Sequence, residues 1–467
     1  MTIERAVGAA ITRERPIEIV RPARRDLSGL LSLPCVPAQV PVQGSGEQFL
    51  SDDSLGGAEP DPVIPHRAYY GEQTAPSLFL LALSEYWHWT NDLDTVRRYR
   101  PVAERIFEWA ERDGDLDGDG LLEYDKRSPK GLKNQGWKDS DEAIRYPDGR
   151  IVPNPIATLE EQAFHFLALQ RMAELLLALG DEAGADRYLT RARDLKGLVN
   201  QAFWLEQEEF YAIGLDPDKR PIATISSNPG HALATGLVPE ARARSVADRL
   251  LAEELFSGWG VRTLSRNHPS FNPLAYHLGT TWPVENATFA LGMKRYGLDE
   301  HAERVITAQL EAAGQFDSSR LPEALGGQSR TGQAFLSVYP GANSPQAWSS
   351  GAILLMVQTM LGLVAFAPAD LLALVRPRLP KWLDWIELRK LRVGEARVSL
   401  RFERGADGAA SVDVIEKEGK LRVLTVPPPR DLMPSRESLL DHLKAWGLEH
   451  LPGRTARMLR IAVGIEE

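Results

Sequence analysis

Helical spacing of apolar residues dominates the chain from residue 75 onward. Leu78, Leu81, Ala82, Tyr86 and Trp89 fall at helical intervals, and Asn91 with Asp92 closes the segment. A second helix is expected over 93–112. Asn154 followed by Pro155 reads as an N-cap and first-turn pair, because the cap side chain can accept an orphan amide while proline has none to satisfy. That helix should stop at Gly180. Tyr188, Ala192, Leu195, Val199 and Ala202 then step by four and three, which is the stripe of a partner helix, so the two make an αα-hairpin. Similar pairs are expected at 226–237 with 239–255 and 282–296 with 298–313, and one long helix over 343–364. No fixed repeat accompanies these hairpins, which disfavours a short-repeat solenoid.

The pattern changes at both ends. Pro22, Pro34, Pro37 and Pro41, with an Asp-, Gly- and Pro-rich stretch over 51–65, predict an irregular N-terminal arm over 1–74. The helical region then spans 75–377. Beyond it Val398, Leu400 and Phe402 alternate with Ser399, Arg401 and Glu403, and short strand-like runs follow at 412–415 and 421–426, predicting a small β appendage over 378–430. A tail over 431–467 should carry an amphipathic helix at 436–446, stopped by Gly447.

Composition narrows the function classes. The 467 residues are 43% hydrophobic, enough to line a sizeable core. Lys plus Arg number 54 against 64 Asp plus Glu, and a net charge of −10 would repel a phosphate backbone, so nucleic acid is not an expected partner. The single cysteine, Cys35, excludes an intramolecular disulfide framework and a Cys-rich zinc module, and suits a reducing compartment. The longest apolar run, 352–367, is shorter than the ~20 residues a spanning helix needs and includes Gln358 and Thr359. It reads as a buried core helix, and no membrane partner is expected. Residues 1–26 mix arginines with Glu4, Glu14 and Glu18 and show no export pattern, so the expected location is the cytoplasm.

Four loops hold the unusual residues. Asp115, Asp117 and Asp119, followed by Gly120, match the opening of a calcium loop, in which alternate carboxylates face one hard cation. The twelfth position is Lys126 rather than a bidentate Glu, and a solvated acidic turn is the alternative. Asp139, Asp141 and Glu142 crowd beside Trp137, where repulsion and apolar cover could keep one acid protonated; an exposed acidic loop is the plainer reading. Glu323 stands alone in a Pro/Gly loop, and 339–348 reads as a turn and a helix start. Trp137, Trp259, Trp282 and Trp348 recur beside these loops, and flat rings suit the C–H faces of sugars, although core packing explains any one of them.

As a set, these segments resemble a known family. Asp117-Gly118-Asp119-Gly120 with Glu123-Tyr124, then Asn134-Gln135-Gly136-Trp137-Lys138-Asp139-Ser140, Gly258-Trp259-Gly260, Thr281-Trp282-Pro283, Leu321-Pro322-Glu323 and Ser344-Pro345-Gln346-Ala347-Trp348 occur in the order seen in the amylo-α-1,6-glucosidase part of bacterial glycogen debranching enzymes. The resemblance covers about 66–425. It implies an all-α (α/α)6 toroid of the glucoamylase and trehalase type, and inverting hydrolysis of an α-glucosidic bond in a small α-glucoside or oligosaccharide with no required cofactor, a structural Ca2+ resting on the acidic turn alone. Nine expected helices rather than twelve make the toroid either open or completed by the N-terminal arm. By motif match, Asp139 would be the general acid and Glu323 the base, with Gln135, His277, Trp137, Trp259, Trp282 and Trp348 binding substrate. The chain departs from the family pattern at Thr74, Leu278 and Val284, and Phe49-Leu50-Ser51-Asp52-Asp53-Ser54-Leu55 only echoes a family segment. A degenerate member that binds carbohydrate without efficient turnover, and a helical scaffold whose carboxylates are surface groups, are the alternatives.

Overall fold

The computed structural model describes residues 17–18, 72–126, 131–331, 336–344, 346–426 and 453–462. Among the described residues, nine α-helices precede the C-terminal sheets: α1 (Thr74–Thr90), α2 (Leu93–Trp109), α3 (Leu159–Leu179), α4 (Glu182–Ala202), α5 (Pro229–Thr235), α6 (Glu240–Leu250), α7 (Pro283–Arg295), α8 (Asp299–Ala313) and α9 (Ala347–Leu361). The odd-numbered helices pack one on the next, α1 on α3, α3 on α5, α5 on α7 and α7 on α9, while α4, α6 and α8 lie on α3, α5 and α7. These are the inner and outer rings of an (α/α)6 toroid.

Side-chain patterning explains who sits inside. Eighteen of the 21 residues of α3 are buried, polar ones included, as a helix enclosed on every side requires. In α4 only one stripe is buried, with Leu189, Ala192, Leu195 and Val199 facing the core. The helices end where expected: Asn91 caps α1 and Gly180 caps α3, both in the left-handed conformation that frees the last carbonyls for capping bonds.

Three expectations need correction. The Asn154–Pro155 peptide is cis and lies before the helix, not at its cap. Ile156 bridges to Tyr124 and Ala157–Thr158 pairs with Gly214–Leu215, so pairing with segments distant in sequence holds this stretch extended and Thr158 becomes the N-cap residue. The apolar run 352–367 is not one helix, because α9 stops at Leu361 with Gly362 in the left-handed region and a strand follows. The β structure therefore begins before Pro377, at Leu363–Phe366, which pairs with Leu371–Val375 and through it with Arg422–Val426.

A second sheet joins Trp385–Val393, Ala396–Arg404 and Ala410–Glu418 antiparallel, and Ile17–Glu18 adds a parallel edge. Val398, Leu400 and Phe402 are buried as their alternation predicts. The remainder of the expected arm over 1–71 and the expected helix at 436–446 lie outside the described residues. The terminal helix that is described, α10 (Gly453–Ala462), packs on α3. No helix among the described residues is long and apolar enough to cross a membrane.

Candidate active site

The N-terminal ends of the inner helices converge with two loops. The first loop, 131–141, is anchored by side chains to several elements. Asn134 Nδ2 donates to the Ser140 carbonyl at 2.7 Å, the Trp137 indole N–H to Glu285 Oε1 at 2.8 Å, and Lys138 Nζ to Asn228 Oδ1 and the Thr263 carbonyl at 2.6 Å each. Burial pushes the Lys138 ammonium down to about 8, against the pull of Glu285 and Glu160. Asp139, between the anchored Lys138 and Ser140, keeps a partly exposed side chain, with its Oδ1 3.9 Å from His277 Nε2. His277 Nδ1 meets the Ser140 hydroxyl at 2.9 Å. Burial, with help from Lys138, holds His277 well below the usual imidazole range, so a neutral ring faces Asp139.

Glu323 occupies the second loop. Its Oε1 accepts from the Tyr276 hydroxyl at 2.8 Å, and its Oε2 from the backbone N–H and the side-chain amide of Asn343 at 3.1 and 3.0 Å. Leu325 and Thr281 exchange backbone hydrogen bonds, tying this loop to the segment that enters α7. Arg262 is buried and donates to the Gly327 carbonyl, while a Cβ on Gly327 would lie 1.7 Å from the Gly279 carbonyl oxygen, so only glycine permits this approach.

Each carboxyl thus lies against one of two sequence neighbours, Asp139 beside His277 and Glu323 on Tyr276. Aromatic rings surround that pair. Trp282 stacks on His277 at 5.4 Å, and Trp137 meets Trp282 edge-on at 4.8 Å. Trp348 stands 5.6 Å from each of Trp137 and Trp282 and is 40% exposed, at the open side of the cluster. Trp259 is placed elsewhere: it packs in a separate apolar cluster with Leu321 and Leu325, under the Glu323 loop, and Arg330 covers its ring at 4.2 Å.

Behind the first loop lies a buried acidic layer. Gln135 is buried with its Nε2 lacking a hydrogen-bond partner, and its carbonyl accepts from the Gln73 N–H. Thr74 donates to Glu161 at 2.6 Å, and Asn228 to Glu160 at 2.6 Å. Burial raises both carboxyls, Glu161 well above the usual range with Glu72 and Glu160 adding to it.

The acidic turn folds on itself. Asp115, Asp117, Asp119 and Glu123 bring one oxygen each within 4.8 Å of the others, a spacing compatible with a cation. Lys219 already places its ammonium there, 3.2 Å from Asp117 and 2.8 Å from Asp119, with a third contact to Glu123. Asp115 spends its oxygens on the N–H groups of Gly118, Asp119 and Gly120. The donor set therefore fits Ca2+ only with Lys219 displaced. Burial pushes Glu123 up to about 7, opposed by Lys219.

Tyr276 and Asn343, which hold Glu323, and Glu285 and Asn228, which anchor Trp137 and Lys138, are not singled out by the sequence. Tyr276 and Asn343 sit beside candidates that were, but nothing in the spacing marks a partner 47 or 20 positions away.

Comparison with known proteins agrees with this architecture. The family profile of the mannosylglycerate hydrolase MGH1-like glycoside hydrolase domain matches residues 55–333. The structure is similar to a GH78 family rhamnosidase of Bacillus sp. GL1, with a TM-score of 0.56 and 17% identity over 78% of this chain and 34% of that one. It is also similar to a sialidase, with a TM-score of 0.53 and 17% identity over 75% of this chain and 32% of that one. At these identities the likeness speaks for the fold alone, and this chain spans about a third of the length of both. A GH63 mannosylglycerate hydrolase from Thermus thermophilus in complex with glucose overlaps 43% of this chain and 45% of its own at 23% identity, with a TM-score of 0.35, too partial to argue from. No curated protein matches the chain.

Proposed function

Because this chain belongs to the MGH1-like glycoside hydrolase family, we propose that it hydrolyses an α-glucosidic bond with inversion, using Asp139 as general acid and Glu323 as base. The observation that carries the reading is the junction at Tyr276 and His277, where two carboxyls 184 positions apart in sequence lie against adjacent residues, Glu323 hydrogen-bonded to Tyr276 and Asp139 3.9 Å from His277. In this scheme Asp139 gives its proton to the glycosidic oxygen as the bond to the anomeric carbon breaks. Glu323 takes a proton from the water that attacks the opposite face, so the acid ends deprotonated and the base protonated until solvent restores both. Such a pair needs ~6.5–9.5 Å between carboxyls to admit the water. The tryptophans offer a sugar ring apolar faces. The proposed substrate is a small α-glucoside or oligosaccharide in the cytoplasm.

The test is hydrolysis of isomaltose, panose, trehalose, limit dextrin and mannosylglycerate, with the anomer released followed by NMR. Asp139→Asn and Glu323→Gln are each expected to lower kcat by about 10²–10⁴-fold, with β-anomer formed first by the wild type. Hydrolysis unchanged by both substitutions would reject the pair, and release of the α-anomer would reject inversion. Sugar binding without turnover in the wild type would leave carbohydrate recognition as the function instead.

A further inference from the structure

Glu285 lies in the first turn of α7, and its side chain is fully buried. Its Oε1 accepts from the Trp137 indole at 2.8 Å and from Ser227 Oγ at 2.8 Å, and it meets His231 Nε2 at 3.1 Å. Ser227 precedes α5 and His231 lies within it, so one oxygen atom joins the 131–141 loop to two inner helices. Its Oε2, equally buried, has no hydrogen-bond partner. Keeping a carboxylate enclosed with one oxygen unpaired costs stability that an apolar side chain of the same shape would not cost.

The contact to Trp137 falls two residues before Asp139, and Lys138 between them is anchored to Asn228 and Thr263. Two consecutive anchors leave the backbone at Asp139 little freedom to rotate. We infer that Glu285 is a positioning residue for the general acid: by gripping the indole N–H of Trp137 it fixes the loop that presents Asp139 to the glycosidic oxygen. This rests on the reading of Asp139 given above. Positioning matters because proton transfer needs hydrogen-bond reach, and sub-ångström drift of an acid lowers the rate without abolishing binding.

The experiment compares two substrates of one sugar: the glycoside hydrolysed best by the wild type, whose alcohol leaving group must be protonated, and the corresponding glycosyl fluoride, whose fluoride departs without that proton. Glu285→Gln keeps the length and an acceptor oxygen, whereas Glu285→Asp keeps the charge but withdraws it from Trp137. Both proteins are first checked for a wild-type far-UV spectrum and cooperative unfolding. For the glycoside, kcat is expected to fall about 3-fold in Glu285→Gln and at least 10-fold in Glu285→Asp, with KM within 2-fold, as lost transition-state positioning requires. Fluoride hydrolysis should stay within 2-fold in both. Equal losses on the two substrates, or a better-tolerated Asp than Gln, would overturn the assignment, because a structural role of the charge predicts that order. Asp139→Asn serves as the reference: if it spares the glycoside, the assignment of the acid itself has failed, and this inference falls with it by a distinct route.

Discussion

Tyr276 and His277 show how much one dipeptide decides. The first donates to Glu323 and the second faces Asp139, and their rings lie 4.3 Å apart, so one dipeptide links the surroundings of both carboxyls. Removing the Tyr276 hydroxyl deletes one of the three donors that hold Glu323, and a hydrogen bond to a charged group contributes about 1.5–3 kcal/mol. Tyr276→Phe is therefore expected to lower kcat by about 10-fold or more with little change in KM, measured by steady-state hydrolysis. Trp348, exposed at the edge of the cluster, packs on Trp137 and Trp282. Trp348→Ala should raise KM several-fold and leave kcat near the wild-type value; an unchanged KM would remove Trp348 from the binding surface. Residue chemistry alone distinguished neither case. Four tryptophans looked equivalent in the sequence, and only packing sent Trp259 beneath a loop and Trp348 to its rim.

Among elements, α1 and α3 are joined by a buried pair. His88 Nε2 lies 2.6 Å from Glu174 Oε1, and Ser84 and Arg171 also hold that carboxylate. Burial pulls the His88 imidazole down, but Glu174 and Glu85 outweigh it and raise it to about 9 from 6.5. Since the folded state holds this proton more tightly than the unfolded one, the stabilisation is fully present below pH 6.5 and disappears as pH rises through about 9. Its size is on the order of 3 kcal/mol. His88→Asn should lower the melting temperature at pH 6 and flatten the decline between pH 6.5 and 9, as read by thermal unfolding across that range. The acidic turn yields a second element-scale prediction. With Lys219 among Asp117, Asp119 and Glu123, the wild-type melting temperature is expected to be equal in calcium and in chelator. Lys219→Met should be less stable and should gain stability from calcium. A wild type stabilised by calcium would mean that the ion displaces the ammonium. The hairpins themselves were legible from spacing, since an outer helix such as α4 needs only one apolar stripe. The extended entry to α3 was not, because its partners, Tyr124 and Gly214–Leu215, lie far along the chain.

For the molecule as a whole, buried carboxyls outnumber buried cations around the convergent helix ends. Glu123, Glu160 and Glu161 are all raised by burial, and His88 is raised by its partners. Protons that these groups keep in the folded state make stability fall as pH rises, whereas His165, His268 and His277, lowered by burial, take up protons near pH 6.5 only in the unfolded state and push against that slope. Lys133 and Lys138, lowered to about 8 by burial, oppose that slope at higher pH, since they lose protons in the folded state first. Glu161→Gln should therefore lose melting temperature less steeply than the wild type as pH rises from 7 to 8, read by thermal unfolding; an identical slope would mean that Glu161 holds no proton in the native state.

Periodicity determined that the chain would build helical hairpins followed by strands, because a helix with one apolar stripe and a strand with alternating burial can each be recognised from a dozen neighbouring residues. The motif order likewise picked out Asp139 and Glu323 as candidates. Tertiary structure alone decided that those two acids share one aromatic cluster, that Glu285 grips the loop of one and Tyr276 the carboxyl of the other, and that Lys219 fills the acidic turn. Each of those contacts joins residues from 47 to 184 positions apart, or closes a turn from a distant loop, and hydrogen bonds between such groups leave no local trace in spacing or composition.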